Sequence, residues 1–112
     1  MPMFTGLAKK RASIAIAAAT VGNNTLIAAV TNPSKKIRVI HANLQFSASC
    51  NIAFQSGAGG TALTGSYAVP ANGKFHDSLE VGLFETASGA LLNLTSDAAV
   101  GIGGFIIYET PE

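Results

Sequence analysis

The sequence predicts an all-β fold, an antiparallel β-sandwich of seven to nine short strands, and three observations carry that expectation. Apolar residues recur with a period of two, and Gly, Asn, Pro and Ser punctuate them at the spacing of a sandwich or barrel. No stretch carries the 3.6-residue stripe of an amphipathic helix. The 112 residues suit one domain.

Residues 1–11 have no sustained periodicity and end in Lys9, Lys10 and Arg11, so they are read as an N-terminal basic arm preceding a single sandwich domain at 12–112. The basic cluster and the run 12–19 imitate a secretory signal, but Ile14 and Ile16 are the only large side chains in that run. Their spacing instead gives a strand with both isoleucines on one face. The turn residues 21–24 should follow, then a strand over 25–31 closed by Asn32, Pro33 and Ser34.

The clearest strand is 36–47, where Ile40, Ala42, Leu44 and Phe46 oppose His41, Asn43, Gln45 and Ser47. Cys50, Ile52 and Phe54 share a parity and predict an antiparallel neighbour joined through 47–49. Three glycines in 57–60 form a loop that lacks the Gly-Lys-Ser/Thr ending of a phosphate cradle. Residues 61–69 read as a strand interrupted at Gly65, Asn72-Gly73 as a hairpin-like turn, 75–79 as a short strand, and 80–86 as a bend or single helical turn. Leu92 and Leu94 mark another strand, and Val100, Ile102, Ile106 and Tyr108 run along one parity to the end. Phe105 and Ile107 occupy the opposite parity, so this strand is apolar on both sides. Its second face is covered either by the N-terminal arm or a loop, or by another subunit.

Composition narrows the function classes. Apolar residues make up 48% and charged residues 12%, with a formal net charge of +1 and a mean hydropathy of +0.38. Such a chain is neither disordered nor a generalised polyanion binder, and its charge-poor surface favours coverage by copies of itself or another protein. One cysteine, Cys50, forms no intramolecular disulfide. No apolar run reaches the ~20 residues of a membrane-spanning helix.

Catalytic chemistry finds little support. Ser78, His76 and Asp77 make a Ser/His/Asp set on paper, but neighbouring residues on a strand point to opposite faces. His41, His76 and Asp77 lack a metal-binding spacing, so no enzyme, metal or cofactor is expected. His41 reads as solvent-facing. Asn23-Asn24-Thr25 and Asn93-Leu94-Thr95 match the glycosylation pattern by coincidence in an Asn/Thr-rich β protein. Lys35, Lys36 and Arg38 lack interleaved aromatics, so they read as solvated turns or salt-bridge partners to a neighbouring protein, and no specific nucleic acid is expected.

The segments 24–30 (NTLIAAV), 35–39 (KKIRV), Leu63-Thr64-Gly65, Ala71-Asn72-Gly73 and 83–94 (LFETASGALLNL) resemble small structural proteins of tailed bacteriophages and prophages. The resemblance covers residues 24–109, and Phe84-Glu85-Thr86 followed by Gly89 and Leu92-Asn93-Leu94 is its most specific element. Such proteins are similar to the jelly-roll decoration, or cement, proteins of capsids. The resemblance implies a homotrimer on the outer surface of the head, with the major capsid protein as partner and no membrane. Lys9, Lys10 and Arg11 are then the expected capsid contact, and Phe105 and Ile107 the expected subunit interface. A tail- or fibre-associated module binding a receptor or carbohydrate is the alternative.

Overall fold

The alternating pattern of 36–47 becomes β3 (Arg38–Phe46), an inner strand of one of two five-stranded antiparallel sheets. The structure, a computed structural model, describes residues 11–111. The other strands are β1 (Arg11–Ala18), β2 (Gly22–Ile27), β4 (Cys50–Ser56), β5 (Thr61–Ala62), β6 (Tyr67–Val69), β7 (Lys74–Ser78), β8 (Phe84–Glu85), β9 (Leu92–Ser96) and β10 (Ile102–Glu109). The first sheet runs β1-β10-β3-β7, with β8 also on β3. The second runs β2-β9-β4-β5, with β6 also on β4. If β5 with β6 and β7 with β8 are each taken as one interrupted strand, the sheets interleave in the order of a jelly roll. Merging these two pairs reduces the ten strands to eight, within the expected seven to nine.

The split at Gly65 agrees with the sequence expectation, since β5 and β6 flank it and both pair with β4. Other connections differ from it. β3 and β4 are not a hairpin: residues 47–49 carry the chain from one sheet to the other, because Phe46 and Cys50 both turn toward the shared core. β2 starts at Gly22, earlier than expected, because Asn24 organises the turn from inside the strand. Its Oδ1 accepts from Thr20 N at 3.1 Å, and its Nδ2 donates to Thr20 O at 2.8 Å. Of the bend or single helical turn expected at 80–86, the bend is what forms. Gly82 N closes a turn onto Leu79 O at 2.8 Å, and Phe84 and Glu85 then pair with Val39 and Arg38.

The core lies between the sheets. Phe46, Phe54, Ile37, Leu44, Leu92, Leu94 and Ile106 are fully buried, each contributing about 1.5–3 kcal/mol of apolar transfer free energy as an upper bound. Phe54 packs against Phe75 and Phe84 with ring centroids 5.1 and 4.8 Å away, joining the sheets at one end. A β-bulge lies where Ile107 and Tyr108 face His41 and Val39, so Val39 and Ile40 are both buried. Leu79 N and Leu83 N donate to the Ile40 and Val39 carbonyls at 2.9 and 2.7 Å and hold the β7–β8 link over this bulge.

Candidate functional site

The outward-facing side chains of the first sheet fall into four cross-strand rows: Arg11, Glu109, Arg38, Glu85; Ser13, Ile107, His41, Ser78; Ala15, Phe105, Asn43, His76; and Ala17, Gly103, Gln45, Lys74. This face therefore has a charged end, an apolar and aromatic centre, and a small, polar far end. Phe105 and Ile107 lie in the middle, half-buried and outside the core, as their parity requires. Phe105 stacks on His41 with centroids 5.3 Å apart and planes 15° apart. His76 meets the other side of His41 edge-on at 5.2 Å.

This cluster departs from the simple solvent-facing histidine expected at His41. The strand period correctly puts His41 on the outer face, but its neighbours depend on the β3–β7 and β3–β10 registers. These place His76 and Phe105 one row diagonal to it. Beside His76, the Asp77 carboxylate accepts from a main-chain amide, Ser78 N donating to its Oδ1 at 2.8 Å. Among the described residues no group of three or more His, Cys, Asp or Glu is placed to hold a metal.

The charged end is a continuous chain of ion pairs. Lys36 Nζ meets Glu85 Oε2 at 3.2 Å, and Arg38 bridges Glu85 at 3.0 Å and Glu109 at 3.2 Å. Arg11 then links Glu109 at 3.2 Å with Glu80 at 3.3 Å. The hydrogen bond from Arg38, aided by Lys36, holds the Glu85 carboxyl below the usual carboxylate range. Gly82 makes room for this chain. Its φ is +104°, and a Cβ there would lie 2.7 Å from the Arg38 Cγ and Cδ atoms. Lys36 and Arg38, expected as solvated turns or as salt-bridge partners to a neighbouring protein, instead pair within the chain with Glu85 and Glu109.

Of the expected capsid-contact residues, Lys9 and Lys10 lie outside the described residues. Arg11 opens β1, with its guanidinium committed to Glu80 and Glu109. The described part of the expected arm is thus already strand.

At the far end, Asn43, Gln45, Asn72 and Lys74 overlook Gly103 and Gly104 in an open groove of about 490 Å³. Gly104, at φ +140°, forms part of its floor, and a Cβ there would overlap the Asn43 carbonyl oxygen. On the second sheet, Asn93 is completely buried, and its Nδ2 donates to Gln55 Oε1 at 2.8 Å and Asn23 Oδ1 at 3.1 Å. Asn93 is consequently inaccessible for glycosylation in the folded chain. The 57–60 loop uses its amides internally, Gly57 N donating to Leu91 O and Gly59 N to Asn23 Oδ1.

Fold and surface together define an all-β protein whose most distinctive surface is a sheet face of mixed apolar, aromatic and ion-paired character. Comparison of the chain with protein-family models, curated proteins and solved structures finds no match.

Proposed function

We propose that this chain is a virion structural protein, a capsid decoration or cement protein that trimerises on the outer surface of a tailed-phage head. The observation that carries the reading is the outer face of the first sheet, where Phe105 and Ile107 stand half-exposed on a chain with only 12% charged residues. A solvated sandwich face is ordinarily polar, so an apolar centre there favours a protein contact. The resemblance of residues 24–109 to phage structural proteins supplies the class of partner.

In this reading Phe105 and Ile107 pack between subunits, and Lys9, Lys10 and Arg11 lie toward the major capsid protein. Packaged DNA presses shell subunits apart, and a trimer bound across their contacts adds buried area that opening must sacrifice. Three linked sites strengthen individually weak contacts.

The alternative is a tail- or fibre-associated carbohydrate-binding module, favoured by the groove of Asn43, Gln45, Asn72 and Lys74, whose amides and ammonium suit sugar hydroxyls. The one aromatic residue lining that groove, Phe46, is completely buried and offers no exposed ring face to a sugar, so the decoration reading ranks first.

Sedimentation with expanded empty shells of the phage's major capsid protein tests the proposal. The purified protein is expected to pellet with expanded shells and to raise their resistance to heat. A chain lacking residues 1–10 should keep its own mass but lose attachment. A protein that stays in the supernatant and leaves shell stability unchanged would exclude the decoration role, and retention on an immobilised glycan array would then support the alternative.

A further inference from the structure

A β-sandwich of this kind has two free edges per sheet, and free edges attract further strands unless something blocks them. Three of the four are blocked here. β7 carries Lys74, His76 and Asp77 along five residues. β2 opens at Gly22 with φ +86° and has a register break between Thr25 and Ile27. The fourth-position edge of the second sheet is broken into β5 and β6, of two and three residues.

β1 has none of these devices. It is eight residues long and pairs without a break with β10, from Arg11 opposite Glu109 to Ala18 opposite Ile102. It contains no proline, and its one charged side chain, Arg11, is engaged by Glu109 and Glu80. On the edge away from β10, the main-chain groups of every second residue meet no partner among the described residues.

The geometry points to β1 as a strand-pairing site for β1 of a second copy, antiparallel across a two-fold axis, which fuses the first sheets of two molecules into one. The sequence of β1 is complementary to itself in that arrangement. Outward residues must oppose outward residues, so the axis passes through Ala15 or Ile14. Centred on Ala15, the pairing sets Ile14 against Ile16 of the second copy and Ser13 against its Ala17. Arg11 then faces Ala19 of the second copy, and no like charges oppose. Ile14 is only half-buried whereas Ile16 is buried, so the second copy's Ile16 completes the cover that Ile14 lacks.

Arg11 already belongs to β1, so any turn that laid the chain's own N-terminal residues along this edge would fall before it, and removal of residues 1–10 separates that occupant from a second copy. This contact is separate from the proposed three-fold contact at Phe105 and Ile107, and its symmetry differs. Ala15 lies opposite Phe105, so the two contacts are told apart by stoichiometry: loss of the two-fold halves the mass, and loss of the three-fold divides it by three.

Ala15 is exposed, so Ala15→Lys and Ala15→Glu leave the fold intact while placing like charges opposite or diagonal to each other across the two-fold. Light scattering on the full chain is expected to give a dimer, or a hexamer where the three-fold contact also forms. Each single variant should halve that mass while its circular dichroism remains that of the folded protein, and an equimolar mixture of the two should restore it. β1 amides should exchange slowly in the wild type and rapidly in either variant. A wild-type monomer or trimer with fast β1 exchange overturns the proposal, as does a mass that Ala15→Lys leaves unchanged. Pairing that appears only after residues 1–10 are removed overturns it too, since the chain's own N-terminal segment is then the occupant.

Discussion

The Phe105 ring lies parallel to the ring of His41, 5.3 Å away and on the opposite side of the sheet from the core. Phe105 and neighbouring Ile107 can therefore be changed without opening a core cavity. Replacing both by Ser should cost about 1–2 kcal/mol, through the lost stacking and partial burial. The protein should remain folded by circular dichroism while any assembly mass built on this face falls to that of the smaller unit. An unchanged mass for the double variant would reject this face as a subunit contact.

The double-sided character of residues 105–108 was legible because period-two alternation needs no knowledge of pairing. The buried parity of Cys50, Ile52 and Phe54 was legible for the same reason. Which strands adjoin depends on how the chain crosses between sheets, and nothing local in 47–49 distinguishes a hairpin from a crossover. The ion-paired end and the His41–His76 contact were hidden for a related reason. Arg11 and Glu109 are 98 residues apart in sequence, and only the β1–β10 register makes them neighbours. Asn24 illustrates a different limit: Asn is a turn residue by propensity, and here it builds the turn with its side chain while its backbone stays in β2.

Gly104 is a backbone requirement rather than a flexible point. Its φ of +140° is strained for any L-residue, and a Cβ would run into the Asn43 carbonyl of the adjoining strand. Gly104→Ala should destabilise the protein by about 2–3 kcal/mol or more, because backbone rather than a side-chain tip must move. Gly103 meets nothing within 4 Å, and Gly103→Ala should be tolerated. Chemical denaturation of the two variants checks the contrast, and equal losses would refute it.

Acid should weaken the fold through two carboxylates. Arg38 holds Glu85 below its ordinary range, and the backbone N–H of Asn51, followed by its side-chain amide, does the same for Asp97. A carboxyl whose pKa is lower folded than unfolded stabilises the native state above its unfolded value and loses that contribution as pH falls through its folded value. With unfolded values of about 4.3 for Glu and about 3.9 for Asp, the thermal midpoint should drop progressively below about pH 4. Glu85→Gln and Asp97→Asn should each lower stability at neutral pH and flatten this acid limb. Variant and wild-type curves should converge at the acid end, and parallel curves would show that neither carboxylate carries the effect.

The ion-pair chain divides sharply between its interior and its tip. The Glu109 side chain is 6% exposed and accepts from both Arg11 and Arg38, whereas that of Glu80 is 87% exposed and, among the described residues, meets only Arg11. Removing an exposed partner returns a solvated arginine to water at almost no cost. Removing Glu109 instead leaves two half-buried guanidinium groups facing each other across the space it filled, each without its shared anion. Glu109→Ala should therefore cost about 2 kcal/mol, and Glu80→Ala should leave the denaturation midpoint unchanged. Salt separates the two further. At roughly 1 M NaCl screening acts within about 3 Å and erases what little the exposed pair contributes, while the loss at Glu109 should persist because water and ions reach it poorly. If high salt abolished the Glu109→Ala defect, the residue would be acting as a surface charge, and the rows of the first sheet would be less tightly tied at that end than the ion-pair geometry implies.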